Sequence, residues 1–406
     1  MSQQGNTSKM RSGVIKRGDT WTYVLRVADG TGAYKQKWVG GFSTEKEAKL
    51  ARAKAITDLD KGKFAAPSKV TVAAYFIQWL DGRELDLKPK TIDGYRYLAN
   101  SYILPALGKI KLQSLTPRKL SDFYRSLSLH GGRDGKPLSK TTVSRVAALV
   151  KSVLKDAVFV DQLLSSNPAE QAITPRQLAT SKSTDLWDAA NLAAFLKTAE
   201  QHRLHGVLWL AAYTGMRRGE LLALRWSDVD LSNQVIRVHR STSLTSKGVI
   251  EGTTKSHRER FVSIDATTVS VLQAHHLMQE SDREIAQDSW EGTGYVFCTE
   301  FGLPVYPTTL THLLHKLIAA HNQAHPELHL KRIRFHDLRH IHATLLLEAG
   351  VPVHVVAARL GHADPAITLR TYAHVLRNNE IHAAESFANL VSSQPLDSNI
   401  FKTYSR

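Results

Sequence analysis

The sequence predicts a mainly α protein with small β elements, and three observations carry that expectation. From residue 68 to about 165, apolar residues recur at three- and four-residue spacing, the pattern of helices that each bury one stripe. Strict alternation, which marks a half-buried strand, is confined to residues 13–41 and to short runs such as Val235 to Val238 and Phe261 to Ile264. A length of 406 residues exceeds one ordinary core and implies about two to four domains.

Residues 1–12 are polar and predict no ordered element. In residues 13–41, Trp21, Tyr23, Leu25 and Val27 fall on one face of a strand. Asp29-Gly30 and Thr31-Gly32 supply a turn, and Lys35, Lys37, Trp38 and Val39 make a second strand. A helix follows, opened by a capping box from Thr44 to Glu47, with Ala48, Ala51, Ala55 and Leu59 at helical spacing. Residues 1–67 hold 13 Lys or Arg against 6 Asp or Glu, a net of +7 out of +16. A short sheet and one helix with that charge predict a DNA-reading module, the sheet entering the major groove. The plainer alternative is a solvated hairpin used for protein contacts.

Four helical segments come next. Val72, Tyr75, Phe76, Trp79 and Leu80 form the first stripe; Tyr95, Leu98 and Tyr102 form the second after a Thr91 cap. Thr116-Pro117 opens the third as N-cap and first helical residue. After the loop HGGRDGKPLS, Val143, Val146, Val150, Val153, Leu154 and Ala157 make the fourth. Together they predict a small bundle. Lys88, Lys90, Arg96, Lys140, Arg145 and Lys151 are its candidate phosphate contacts. Residues 166–184 are rich in Ser, Thr, Pro and Ala and read as a linker. A mostly helical domain then begins with a helix from Trp187 to Glu200, and a third strand is expected near Gly248 to Glu251.

The charge narrows the class. A formal net of +16 and a pI near 9.8 point to a polyanionic partner. No apolar run reaches the roughly 18–20 residues of a spanning helix, so a membrane surface is disfavoured. The N-terminus lacks the apolar stretch of a secretory signal, and the single cysteine, Cys298, fits a reducing cytoplasm. The histidines of HLLHKLIAAHNQAH (His312, His315, His321, His325) have metal-like spacing, but no Cys or acidic third ligand stands at a useful offset.

The informative block is HDLRHIHATLLLEAGVPVHVVAARLGHADPAITLRTYAH, residues 336–374. It holds His336 and Arg339 three apart, Leu360-Gly361-His362, and Tyr372 ten residues after that histidine. Upstream, TGMRRGELLALRW (Thr214 to Trp226) adds an arginine at a helix start. Two arginines, two imidazoles and a tyrosine can hold a phosphate diester and attack it. Arginine stays charged and presents planar donors that match two phosphate oxygens.

In order and spacing these motifs closely resemble the tyrosine recombinase (phage integrase) family, from about residue 185 to 390. The resemblance implies a three-domain integrase architecture. An arm-type DNA-binding domain would occupy 1–67, a core-binding helical domain 68–165 and a catalytic domain 185–390, with a tail at 391–406. It also implies roles. Tyr372 is the nucleophile, leaving a 3′-phosphotyrosine and a free 5′-hydroxyl; nearby guanidinium groups are expected to favour its phenolate. Arg217 and Arg339 clamp the phosphate. The family's Thr-Gly-x-Arg spacing selects Arg217 over Arg218, with free amides at the helix start adding to anion binding. Glu220 orients Arg217, and His336 and His362 hydrogen-bond the scissile phosphate. Lys255, in TTKSHRERFVSI (253–264), matches the family's Lys-Ser-x-Arg-x-Arg and is the donor to the 5′ oxygen, with Lys247 as its competitor. Asp337, His340 and His342 read as supporting or surface groups.

No cofactor or metal is implied. The expected partners are double-stranded DNA attachment sites of core and arm type, a homotetramer on DNA, an excisionase and a host DNA-bending protein. The element would be a temperate phage or another integrative element. The other readings are a DNA-binding regulator on a recombinase scaffold and a type IB topoisomerase. After Tyr372, Ile381, Ala384, Phe387 and Val391 give a short helix one apolar face, which either folds onto its own domain or docks into a neighbour; the resemblance implies packing in trans.

Overall fold

The computed structural model describes residues 13–28, 34–60, 65–176, 186–254, 259–372, 387–389 and 391. The chain divides into two compact units, residues 1–181 and 182–406. The first unit contains two separate hydrophobic cores.

The smaller core lies under an antiparallel sheet of three strands, β1 (Val14–Arg17), β2 (Thr20–Ala28) and β3 (Tyr34–Phe42), in the order 1-2-3. Helix α1 (Glu45–Asp60) covers it. Val14, Tyr23, Leu25 and Val39 from the sheet meet Ala48 and Ala55 of the helix. The capping box forms as expected: Glu47 N donates to Thr44 Oγ1 at 3.2 Å, and Thr44 N donates to Glu47 Oε2 at 3.3 Å. β1 carried little sequence signal, because only Val14 in it is buried. The turn expected at residues 29–32 lies outside the described residues, as do residues 1–12.

The larger core is the helical bundle, built from α2 (Val72–Gly82), α3 (Pro89–Leu98), α4 (Leu104–Leu107), α5 (Pro117–His130) and α6 (Lys140–Phe159). The stripes of α2 and α6 are buried along their length. Thr116 caps α5, its hydroxyl accepting from Lys119 N, and Pro117 is the first helical residue. Three expectations are corrected here. The second helix starts at Pro89 with Lys88 as N-cap, so Thr91 lies inside it. Proline at that position needs no amide partner and has a preset φ, which outweighs a threonine cap two residues later. Ile92 and Leu98 are the buried residues of α3, while Tyr95 and Tyr102 only border the core. The linker begins later than residue 166. Ala169 is buried in the bundle, and Asn167 caps its turn while donating to Lys151 O at 3.0 Å. Of the candidate phosphate contacts, Arg96 is engaged with Asp81 and Glu84 (3.2 and 3.1 Å), whereas Lys88, Lys90, Lys140, Arg145 and Lys151 are exposed.

The second unit opens with α7 (Ala189–Ala199), capped by Asp188, then α8 (His205–Thr214) and the one-turn helix α9 (Arg218–Leu222). β4 (Val229–Asp230), β5 (Val235–Val238) and, further along the chain, β8 (Arg260–Ser263) form one antiparallel sheet in the order 4-5-8. Between β5 and β8, β6 (Arg240–Thr245) and β7 (Gly248–Thr253) form a hairpin. β6 escaped sequence reading because Thr242 is its only buried residue and its polar run has no alternation of apolar residues. Four helices follow: α10 (Ala266–Ala286), α11 (Pro307–Ala324), α12 (Asp337–Glu348) and α13 (Val353–Leu360). Residues 365–372 are helical as well.

The main core is formed by α7, α8, α10, α11, the 4-5-8 sheet and the start of α12. A satellite cluster of Ala343, Leu347, Val356, Leu360 and Tyr372 ties residues 365–372 to α12 and α13. Among the described residues, no helix is long and apolar enough to cross a membrane.

Candidate active site

Three arginines from distant parts of the sequence converge on the C-terminal end of α13. Arg260, at the start of β8, donates through Nε to Arg359 O at 3.0 Å. Arg339, on the first turn of α12, donates through Nη2 to Leu360 O at 2.7 Å and through Nη1 to Gly215 O at 2.7 Å. Arg217, the N-cap of α9, reaches Gly361 O through Nη2 at 3.4 Å. The last carbonyls of a helix have no intrahelical partner and carry partial negative charge, so they are favourable seats for guanidinium groups. The convergence leaves His362 beside all three arginines.

Two glycines make this approach possible. Gly215 ends α8 with φ 62°, and a Cβ there would lie 2.7 Å from Leu360 and 2.8 Å from His342. Gly361 ends α13 with φ 67°, and a Cβ would press on the Arg260 side chain at 2.9 Å. A left-handed backbone with no room for a side chain requires glycine at both turns.

Glu220 is the buried counter-charge. Its Oε1 accepts from Arg217 Nη1 at 2.8 Å and Arg260 Nη1 at 3.2 Å; its Oε2 accepts from Arg260 Nη2 at 2.7 Å and from Arg217 N at 2.9 Å. Burial pushes its carboxyl upward, but the paired Arg260 and Arg217 outweigh this and hold it below the usual range. The Arg217 amide is therefore occupied by the chain's own carboxylate. The free helix-start amide expected at Arg217 is corrected: it is spent on Glu220 Oε2. Arg218 turns away, donating to Thr311 Oγ1 at 2.9 Å.

Among the described residues, three arginines against one carboxylate leave two positive charges uncompensated in a poorly hydrated place. Burial, then Arg217, draws the Arg339 pKa down to about 9, which still leaves it charged at neutral pH. The same field acts on the histidines. His362, hydrogen-bonded through Nδ1 to Thr368 Oγ1 at 2.7 Å, is drawn down to about 4, first by burial and then by Arg339, Arg217 and Arg260. His336, the N-cap of α12, keeps a solvent-exposed ring surface among many protein atoms. It too falls to about 4, through desolvation first, then His340, Arg339 and Arg217. Both are neutral donors or acceptors at physiological pH. A phosphate diester would supply the missing negative charge.

Tyr372 is only 2% exposed, its ring packed in the satellite cluster and its Oη 2.8 Å from His340 Nδ1. Burial pushes the phenol up to about 12, and Arg339 only partly opposes this. The expected phenolate is corrected: desolvation outweighs the arginine, so the hydroxyl keeps its proton in the free protein. Asp337 and His342 are buried and structural. Asp337 accepts from Arg334 N at 2.8 Å and pairs with its guanidinium, while His342 Nδ1 lies 2.8 Å from Ala212 O and its Nε2 accepts from Arg359 Nε at 3.1 Å. Lys255 lies outside the described residues, and Lys247 sits in the turn between β6 and β7. Of the tail's apolar face, Ile381 and Ala384 lie outside the described residues, while Phe387 and Val391 are exposed. Ring nitrogens of His315 and His321 are taken by Ile333 O and Leu328 O at 3.1 Å each. Among the described residues, no group of three or more His, Cys, Asp or Glu is placed to hold a metal ion.

Comparison with known proteins gives this geometry its family. Residues 183–379 match the model of the phage integrase family, residues 71–128 its N-terminal SAM-like domain, and residues 14–59 an arm DNA-binding domain. The chain belongs to the phage integrase family of tyrosine recombinases. It is 26% identical over 366 residues to a tyrosine recombinase XerC-like protein of Caldanaerobacter subterraneus, covering 86% of this chain and 90% of that one. It is also 26% identical over 354 residues to the ICEBs1 integrase of Bacillus subtilis, covering 86% and 91%. Its fold matches that of the Tn1549 transposon integrase solved with transposon right-end DNA. There the TM-score is 0.65 at 19% identity, over 78% of this chain and 99% of the other. A lambda integrase dimer bound to a core site matches with a TM-score of 0.52 at 18% identity, over 88% and 93%. The protein is thus a site-specific recombinase, an enzyme that breaks and rejoins DNA.

Two residues of this cluster carried no catalytic role in the sequence reading. Arg260 is the last arginine of the Lys-Ser-x-Arg-x-Arg match, which was read for Lys255, and His340 read as a supporting or surface group. The signals that pointed to them were that motif arginine leading into a strand and a second histidine one turn beyond His336.

Four histidines kept neutral by desolvation and nearby arginines predict an acid-labile fold. His275, His336, His342 and His362 are all drawn to about 4, against roughly 6.5 for an unfolded histidine. A depressed folded value means the unfolded chain binds protons first. Their stabilisation is complete above about pH 6.5 and is lost as pH falls through about 4. Thermal unfolding of the free protein should shift to lower temperature across that window. Inorganic phosphate should offset part of the shift, since an anion beside His336 and His362 raises their pKa values. A melting temperature that stays level across the window would contradict the neutral state of these histidines.

Proposed function

We propose that this recombinase is the integrase of a temperate phage or another integrative element, and that it cleaves each strand with Tyr372. The observation that carries this reading is the uncompensated positive cluster of Arg217, Arg260 and Arg339 beside His336, His362 and the Tyr372 hydroxyl. Arg217 and Arg339 hold the non-bridging oxygens of the scissile phosphate. His336 and His362 add neutral hydrogen bonds, and Glu220 fixes Arg217 in place. Tyr372 Oη attacks phosphorus, forming a 3′-phosphotyrosine. Lys255 gives a proton to the departing 5′ oxygen. The ester conserves the bond energy, so a 5′ hydroxyl from the other duplex reseals the strand without a nucleotide.

The basic sheet and helix at residues 14–60 bind arm-type sites, and the bundle grips the core site. Four copies act on two duplexes through a Holliday junction. The shared fold with lambda integrase, solved as a tetramer bound to a Holliday junction (TM-score 0.51), supports that assembly. The tail beyond Tyr372 packs on a neighbouring protomer. An apolar groove of about 550 Å³ lined by Leu192, Leu196, Tyr213, Leu346 and Val355 is a seat of suitable chemistry. An excisionase and a host DNA-bending protein set direction, and the enzyme works in the bacterial cytoplasm.

Recombination between two attachment sites should run in EDTA without added nucleotide, because the arginines supply the charge a metal would otherwise bring. An assay for recombinant joints, with and without Mg²⁺, checks this. Strand cleavage that strictly requires the metal would overturn the mechanism.

A further inference from the structure

The geometry points to His340 as the catalytic group that takes the hydroxyl proton of Tyr372 when the tyrosine attacks. This deepens the proposed function and rests on Tyr372 being the nucleophile.

Four observations carry it. His340 Nδ1 is 2.8 Å from Tyr372 Oη and is the hydrogen-bond partner of that oxygen among the described residues. The two rings are 5.8 Å apart between centroids, tilted by 57°, so the contact is lateral and not a stack. His340 stands one helical turn after His336, whose ring meets it edge-on at 5.0 Å; the pair forms a wall of imidazoles beside the arginine cluster. Arg339, the residue before His340, is a donor-only cation seated on Gly215 O and Leu360 O and has no lone pair to offer the phenol proton, whereas the histidine does.

Charge decides whether His340 can accept. From its own helix it faces His336, Asp337 and Arg339; Arg334 precedes the helix; His362 and Tyr372 face it from the segment after α13. Burial lowers its pKa most, Arg334 and Arg339 lower it further, and Asp337 pulls the other way. The result lies below the ordinary histidine value, so the ring is neutral at physiological pH. With its proton on Nε2, the Nδ1 lone pair meets the phenol O–H. That hydroxyl is held at about 12 and is a poor nucleophile without a base.

The step balances. The Oη–H bond breaks and its proton goes to His340 Nδ1. The Oη–P bond forms, the P–O5′ bond breaks, and O5′ takes a proton from Lys255, the acid of the proposed reading. The imidazolium is then stabilised by the Asp337 carboxylate and the phosphotyrosine diester. Resealing runs the same transfers in reverse.

The test uses the full chain and a nicked duplex bearing the attachment core identified beside its gene. Adduct formation is followed in single turnover from pH 5 to 9, and binding by gel shift. Asparagine keeps a hydrogen-bonding group of similar reach at this position but is no base. His340→Asn should bind DNA like the wild type and form adduct roughly 100- to 10,000-fold more slowly at neutral pH. Its rate should also lose the wild-type fall on the acid side and rise with pH throughout. His340→Gln, expected to behave alike, stands in if the asparagine variant does not fold. A wild-type rate and pH profile in either variant would overturn the proposal, because hydrogen bonding alone would then suffice. Faster cleavage by His340→Ala would also overturn it, since the contact would then merely restrain the tyrosine. Tyr372→Phe is run alongside: an adduct there would refute the nucleophile itself, a separate failure.

Discussion

Replacing Tyr372 with phenylalanine should leave DNA binding intact and abolish the covalent protein–DNA adduct on a nicked half-site. The substitution removes one oxygen. The ring stays in its cluster with Leu347, Val356 and Leu360, so the apolar packing that holds residues 365–372 survives. What is lost in the fold is the hydrogen bond to His340, worth about 1 kcal/mol. What is lost in chemistry is the attacking atom. Thermal unfolding, gel shift and adduct trapping on one preparation separate the effects. A trapped adduct in the variant would move the nucleophile elsewhere, with the half-exposed Tyr306 and then Tyr404 to be tried next.

Arg339→Lys should be nearly as damaging to cleavage and more damaging to the fold. Arg339 is 3% exposed and uses two of its five N–H groups on Gly215 O and Leu360 O, which leaves three for the phosphate. Lysine keeps the charge but has three donors on one atom and cannot reach two carbonyls and a phosphate from different sides. Losing a transition-state donor typically costs roughly 100- to 1,000-fold in rate. The buried carbonyl left unpaired adds about 1–3 kcal/mol of destabilisation. Single-turnover cleavage should fall by that factor and the melting temperature should drop. A variant with the wild-type cleavage rate would remove Arg339 from the clamp. Arg217→Lys, by contrast, should perturb stability less, because Glu220 keeps Arg260 as a partner.

Much of the fold was legible because local rules and tertiary burial agree. The stripes of α2 and α6, the Thr44–Glu47 box and the Thr116-Pro117 start all appear where pattern and capping chemistry put them. The failures share a cause. At Thr91 a good capping residue was overruled by a proline two positions earlier. At residues 166–169 a loop-like composition hides a turn packed in the bundle, since Ala169 is small enough to be buried without an apolar run. β6 is a polar strand whose pairing with β7 supplies what its side chains do not. The site was legible as residue types at informative spacings, and its electrostatics were not. Spacing alone placed Tyr372 near arginines and implied a phenolate, yet burial prevails at that oxygen.

The sequence by itself determined the chemistry that is available. It provides arginines that stay charged, imidazoles, one tyrosine ten residues after Gly361-His362, a basic leading segment, and glycines where the backbone turns left-handed. Those properties belong to single residues and near neighbours, so they survive being read along a line. Only the tertiary structure decided how the charges balance. Arg217, Arg260 and Arg339 are separated by tens of residues, yet they meet on three successive carbonyls at the end of α13, with Glu220 shared between two of them. Whether His340 faces solvent or the Tyr372 hydroxyl likewise depends on how residues 365–372 pack against α12. The physical reason is that burial and Coulomb energy depend on distances in space, which a sequence does not contain.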